Sequence, residues 1–244
     1  MNPSERIKLQ DGWVLHRRDF RDSSQIIEVF TLEYGRLSMV ARGVKRPRSK
    51  HRGLLQPFSP LRLSWVAGRE LATMTDVEQG DGAPLLLTDD RLLSGFYLNE
   101  LVLKLTHRFD PQPVLYQLYT STLTDIASGA PLAATLRQFE WSLLAELGFG
   151  LNLTQDVTTG ASLEPSAYYN VIVDQGPVRC VDGQESDDAF SGEVLLRIVA
   201  GDWSSAEISA AARRIFSRAI DLQLEGKPLQ SRRVLHEMRR HHGK

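Results

Sequence analysis

Gln25-Ile26-Ile27-Glu28-Val29-Phe30-Thr31 runs into Glu33-Tyr34-Gly35 and then Arg36-Leu37-Ser38-Met39-Val40-Ala41. Two runs rich in β-branched and apolar residues, divided by a turn that carries a glycine, read as neighbouring β-strands. Working outward, Asp22-Ser23-Ser24 separates the first run from an earlier one, Gly12-Trp13-Val14-Leu15. Two later runs, Leu61-Arg62-Leu63-Ser64-Trp65-Val66 and Glu70-Leu71-Ala72-Thr73-Met74, flank Ala67-Gly68-Arg69. Five short strands within the first 80 residues favour a small closed barrel, because closure removes exposed sheet edges. An OB-type barrel over residues 1–80 is therefore expected.

Between the third and fourth strands lies Arg42-Gly43-Val44-Lys45-Arg46-Pro47-Arg48-Ser49-Lys50-His51-Arg52-Gly53, with six cations and no acid. Its glycine and proline content predicts a loop or arm. Along the whole chain the charge is segregated. Residues 1–75 carry 14 Lys and Arg against 7 Asp and Glu, residues 76–212 carry 6 against 20, and residues 213–244 carry 9 against 3, within a net charge of −1. Fields act locally, so a basic face binds phosphate whatever the total.

After the acidic, glycine-rich link at 76–82 the period becomes helical. Thr88 is placed to cap a helix that begins with Asp89 and Asp90, and Leu93, Tyr97, Leu101 and Leu105 share one face. A second helix is expected from Pro113, with Leu115, Leu118, Thr122 and Ile126 in its stripe. A third is expected from Pro131, with Leu136, Phe139, Leu143 and Leu147, ending at Gly148. These make a helical domain over residues 81–152. In residues 153–200, Tyr168–Val173 and Val178–Val181 flank Asp174-Gln175-Gly176-Pro177 as an acidic hairpin insert. Ser204-Ser205-Ala206-Glu207 opens a further helix with Ile208, Ala212, Ile215, Ala219 and Leu222, closed by Gly226 and followed by a basic tail, so residues 201–244 are expected to pack with the helical domain. The fold class is α+β.

Several function classes lack their parts. No Walker loop, dinucleotide glycine fingerprint, nucleophile elbow or HExxH motif is present. No catalytic residue is assigned, and no cofactor or metal is expected. A single cysteine, Cys180, permits no internal disulfide. No apolar run approaches the roughly 18 residues of a spanning helix, and MNPSERIKLQDG lacks the apolar stretch of a signal peptide. Residence in the cytoplasm, in association with the nucleoid and without membrane contact, is expected.

The candidate residues follow from charge and aromaticity. Arg42, Lys45, Arg46, Arg48, Lys50 and Arg52 on a barrel connection would neutralise several phosphates. The nearby rings Phe20, Tyr34, Phe58 and Trp65 would stack bases if exposed and fill the barrel if buried. A second basic patch comprises Arg213, Arg214, Arg218, Lys227, Arg232, Arg233, Arg239 and Arg240. Its alternative is a solvated helix surface.

Beyond these readings, the order of features resembles a known family, the bacterial recombination mediator RecO. The resemblance is carried by Gly12–Leu15, Val29–Gly35, Val40–Arg46, Leu55-Gln56-Pro57-Phe58-Ser59-Pro60-Leu61, Tyr97-Leu98-Asn99-Glu100-Leu101, Arg137-Gln138-Phe139-Glu140 and Gly226-Lys227-Pro228-Leu229-Gln230-Ser231-Arg232. It implies an OB barrel followed by a helical domain with a small insert. It further implies binding of single- and double-stranded DNA, annealing of complementary strands, engagement of the acidic, Phe-ended tail of single-strand-binding protein, and RecA loading with RecR, without catalysed chemistry. Many members hold zinc in the insert with four cysteines. This chain has only Cys180, so a zinc-free insert held by packing is expected. A helical groove would receive the peptide tail, with Arg137 meeting its carboxylate beside a pocket of Phe139 and Leu143 and with Arg108 as a second cation. The alternative for Arg137 is a pair with Glu140 or Glu146. An RNA-binding OB protein and a protein adaptor without DNA annealing stand as the other function classes.

Overall fold

The computed structural model describes residues 4–51, 53–181 and 188–242, without the side chains of residues 236 and 238–242. Five strands open the chain: β1 (Arg6–Phe20), β2 (Ser24–Thr31), β3 (Gly35–Ala41), β4 (Leu61–Val66) and β5 (Ala72–Gln79). They close into a barrel of order β1-β2-β3-β5-β4, in which β3 and β5 run parallel and every other pair antiparallel. β1 closes it by pairing with β4 through its first half and β2 through its second. It is much longer than Gly12–Leu15, because a bulge between Ile7 and Gln10 bends the strand around the barrel, with Leu9 at φ 52°. The amide freed there donates to Ser64 Oγ at 3.0 Å. Gly12 marks the bend's tight side, where a Cβ would stand 3.1 Å from Phe30 O and Leu63 Cδ1.

Alternation fills the interior with Val14, Ile27, Val29, Leu37, Met39, Leu63 and Trp65. The same alternation leaves Trp13 and Phe30 on the outer face of β1 and β2, and two helices cover them: α1 (Asp89–Leu105) and α2 (Pro113–Ser128). Tyr119 meets Trp13 edge-on at 6.1 Å, and Tyr116 meets Phe30 at 5.5 Å. Asn99 Nδ2 donates to Leu15 O at 3.0 Å and its Oδ1 accepts from Tyr119 OH at 2.6 Å. These buried polar links fix α1 to α2 and α1 to the barrel.

The compact units of the chain therefore differ from the expected boundaries at 80 and 152. One unit is Met1–Gly129 with Leu229–Lys244; the other is Ala130–Pro228. The last described element, α6 (Gln230–His242), is a helix where a tail was expected, and it returns to α1. Glu100 on α1 accepts from Gln230 N, Ser231 N and Ser231 Oγ at 2.8, 2.9 and 2.6 Å, supplying the acceptors that a helix start needs. Thr88 stands at the N-cap of α1 as expected, but its side chain makes no capping bond.

The second unit holds α3 (Leu132–Glu146), a sheet of order β7-β6-β8, and two further helices. The strands are β6 (Tyr168–Ile172), β7 (Gly176–Arg179) and β8 (Phe190–Ser191), and the helices are α4 (Gly192–Val199) and α5 (Ala206–Gln223). The hairpin lies where the sequence places it; β8 is too short to show a period, and α4, capped by Ser191 with Val194, Leu195 and Ile198 on its buried face, was not among the expected helices. Buried Asp156 ties the insert together. Its Oδ1 accepts from Thr158 N and Oγ1 at 2.7 and 2.5 Å, and its Oδ2 from Arg179 N at 3.2 Å. The Thr158 hydroxyl first, then those backbone amides, hold its carboxyl below the ordinary range. One buried cysteine cannot furnish a four-thiolate zinc site, and among the described residues no three His, Cys, Asp or Glu side chains gather as metal ligands would.

Candidate nucleic-acid interface

The pairings Phe20↔Ser24, Gln25↔Ala41 and Met39↔Ala72 bring three connections to one end of the barrel: the turn after β1, the loop after β3 and the turn before β5. The loop is anchored rather than a loose arm. Val44 and Leu55 are buried in the barrel core, and Lys45 N donates to Ser23 O at 3.1 Å. Fixed in this way, Arg42, Lys45, Arg46, Arg48 and Lys50 are all exposed, Lys45 at that end and Lys50 further along, beside Asp76 midway in β5, while Arg52 lies outside the described residues. Lys45 pairs with Asp19 at 2.6 Å and Lys50 with Asp76 at 3.0 Å. Each ammonium is the main reason its partner carboxyl lies below the ordinary carboxylate range. Among the described residues no carboxylate pairs with Arg42, Arg46 or Arg48.

Four more exposed cations share this end and were not singled out in the sequence: Arg17, Arg18, Arg21 and Arg69. They stand one or two at a time among other residue types, so no run marks them. Only strand pairing shows that the β1–β2 turn and the Gly68–Arg69 turn meet the basic loop. Arg17 also braces the loop, donating to Leu55 O at 3.2 Å.

The rings divide by burial. Trp65 is 0% exposed inside the barrel, with the half-buried Tyr34 edge-on at 5.3 Å. Phe58 is buried beside Phe96 of α1. Neither Trp65 nor Phe58 presents a face to a base. Phe20 is half-buried at the cationic end, with the Arg21 guanidinium 5.1 Å from its centroid.

The other candidates are dispersed. Arg232 lies over Tyr97, 5.6 Å from the ring, and Arg233 is exposed beside Glu237 at 3.7 Å. Lys227 is exposed and belongs to the second unit. Arg108 follows α1 in the first unit and pairs with Glu28 at 3.0 Å. Arg137, on α3 in the second, is only 6% exposed and pairs with Glu140 at 2.6 Å, with Phe139 and Leu143 wholly buried. Among the described residues, nothing hydrogen-bonds to the Nε of Arg137.

A closed OB barrel whose one open end is ringed with exposed cations, continuing into helices, defines a class of polyanion-binding scaffold. The chain matches the model of the N-terminal part of recombination protein O over residues 6–82 and that of its C-terminal part over residues 88–233. It is 43% identical over 241 residues to the DNA repair protein RecO of Azoarcus sp. (strain BH72), covering 98% of this chain and 99% of that one. It is 38% identical over 238 residues to the RecO of Aromatoleum aromaticum, with 98% and 99% covered, and 38% over 235 residues to that of Nitrosococcus oceani, with 96% and 95% covered. The chain belongs to the recombination protein O family.

Proposed function

We propose that this chain is a non-catalytic mediator of DNA repair that binds single- and double-stranded DNA at the cationic end of its barrel and anneals complementary strands. The observation that carries this reading is the anchored loop, which holds Arg42, Lys45, Arg46, Arg48 and Lys50 exposed beside Arg17, Arg18, Arg21 and Arg69. Two strands repel each other through their phosphates. Cations held on a rigid frame neutralise part of that charge, and base pairing then drives the reaction. Half-buried Phe20 is the ring best placed to stack a base.

The reading extends to partners. An acidic, Phe-ended tail of single-strand-binding protein would bind at α3, where Arg137 would exchange the Glu140 carboxylate for the tail's own and Phe139 and Leu143 would part to admit the ring. RecR would meet the barrel, and together they would load RecA. Lys227, Arg232 and Arg233 would each add a phosphate contact.

The test is strand annealing and oligonucleotide binding by the wild type and by a variant with Lys45, Arg46, Arg48 and Lys50 changed to Ala, across a salt series. Every phosphate that the variant no longer neutralises should flatten the dependence of log affinity on log salt by about 0.7 for single strands. Annealing should fall with it. Equal annealing and equal slopes would remove the loop from the interface, and a preference for RNA of the same sequence would point to the other nucleic acid.

A further inference from the structure

In the second unit, α5 carries a second cationic feature with an occupant already in place. Asp188, two residues before β8, divides its carboxylate between two guanidiniums of α5. Its Oδ1 accepts from Arg214 Nη2 at 2.5 Å, and its Oδ2 lies 2.8 Å from Arg218 Nη2. Residues four apart share a helix face, so both groups point at one anion. Arg214 is further positioned by Phe190, a buried ring whose centroid lies 4.7 Å beneath its guanidinium. None of the three charged groups is sealed off: the side chains of Arg214, Arg218 and Asp188 are 42%, 41% and 62% exposed.

Two guanidiniums that each address a different oxygen of one anion match the two non-bridging oxygens of a phosphodiester. The carboxylate satisfies this geometry with one negative charge against two positive. As an exposed pair on each side it contributes little to stability, so it is displaced at small cost. Its two partners hold the acid below the ordinary carboxylate range, and it stays charged and in competition throughout the neutral range.

We propose that Arg214 and Arg218 form a second phosphodiester-binding site for DNA, which the Asp188 carboxylate fills until a backbone phosphate displaces it. The proposal rests on the reading that the chain binds DNA and adds what limits that binding. An internal competitor keeps the site's affinity low, and low affinity leaves annealing strands free to shift register while bound.

The experiment measures binding of a labelled oligothymidylate to the full chain by fluorescence anisotropy. Asp188→Asn keeps the shape of the side chain and removes its charge. It should tighten binding roughly two- to tenfold, the worth of two exposed ion pairs. Its salt dependence should steepen by about 0.7, as for one further phosphate contact. Adding Arg214→Gln and Arg218→Gln should abolish the gain. Unchanged or weaker binding by Asp188→Asn, while the wild type binds and the loop variant does not, would overturn the site and leave the barrel reading standing. A gain that survives the two arginine changes would overturn it as well, since the effect would then be one of general field. Absence of binding by wild type and Asp188→Asn alike would end both readings. Should Asp188→Asn fail to fold, Arg214→Gln/Arg218→Gln alone decides: weaker binding with a flatter salt slope supports the site, and wild-type behaviour overturns it.

Discussion

Gly35 has φ +63°, and a Cβ there would lie 2.0 Å from the carbonyl oxygen of Asp110 in the α1–α2 connection. Gly35→Ala adds a collision with backbone to an unfavourable left-handed conformation. It should cost about 3 kcal/mol or more, read as a lower urea midpoint with an unchanged slope. Asp202 gives a pH-dependent counterpart. The Ser204 hydroxyl and then the Arg197 guanidinium pull its carboxyl from 3.8 to about 2. The native chain thus releases this proton more readily than the unfolded one. The stability involved is complete above pH 3.8 and drains away as pH falls towards 2. Asp202→Asn should flatten the dependence of melting temperature on pH across that window, while an unaltered curve would assign the acid response elsewhere. At this scale the sequence is legible where chemistry is local. The capping-box spacing of Ser204 and Glu207 marks the start of α5 to within one residue: Ser205 is the cap, accepting from Glu207 N, while the Ser204 hydroxyl donates to Asp202 Oδ1. Whether Phe58, Trp65 or Phe20 faces solvent depends on elements far along the chain, and residue type alone does not settle it.

The five strands were legible in number and order because turn residues punctuate them, although β5 runs on through residues 76–79 where a link was expected, and α2 and α3 were legible because their apolar stripes repeat. The last helix was not. Gln230–His242 is dominated by Arg, His and other polar residues and reads as a solvated tail. What gives it a fixed start is Glu100, 130 residues earlier, whose carboxyl lies below the ordinary range although burial opposes this, because Ser231 through its hydroxyl and amide, then Gln230 N and Lys104, favour its charge. Glu100→Ala should strip the α6 start of its acceptors and cost about 1–3 kcal/mol locally. Hydrogen exchange should quicken in α6 while the barrel amides stay protected; uniform quickening would show instead that the whole unit depends on this contact. The same distance effect hid β8. A two-residue strand has no period to detect, and it exists because β6 offers it an edge at Tyr168 and Tyr169.

Across the whole molecule, segregated charge led from sequence to the cationic barrel end, because runs such as 42–50 are visible without coordinates. The single cations that complete that end were not visible, since barrel closure alone brings Arg21 and Arg69 to the loop. Covering Trp13 and Phe30 also decided the architecture. It drew α1 and α2 into the barrel's unit and left α3 to the insert and α5. That unit is discontinuous, built from Met1–Gly129 and from Leu229–Lys244, with the other unit threaded between. On a ribosome, which emits the chain at about 5–20 residues per second, the barrel and its two covering helices emerge early. Glu100 must then wait while some hundred residues more are made before Gln230 and Ser231 arrive. Translation order thus separates the birth of the barrel from the completion of its own unit. A nascent chain stalled before residue 229 would display the cationic end with the α6 seat still vacant.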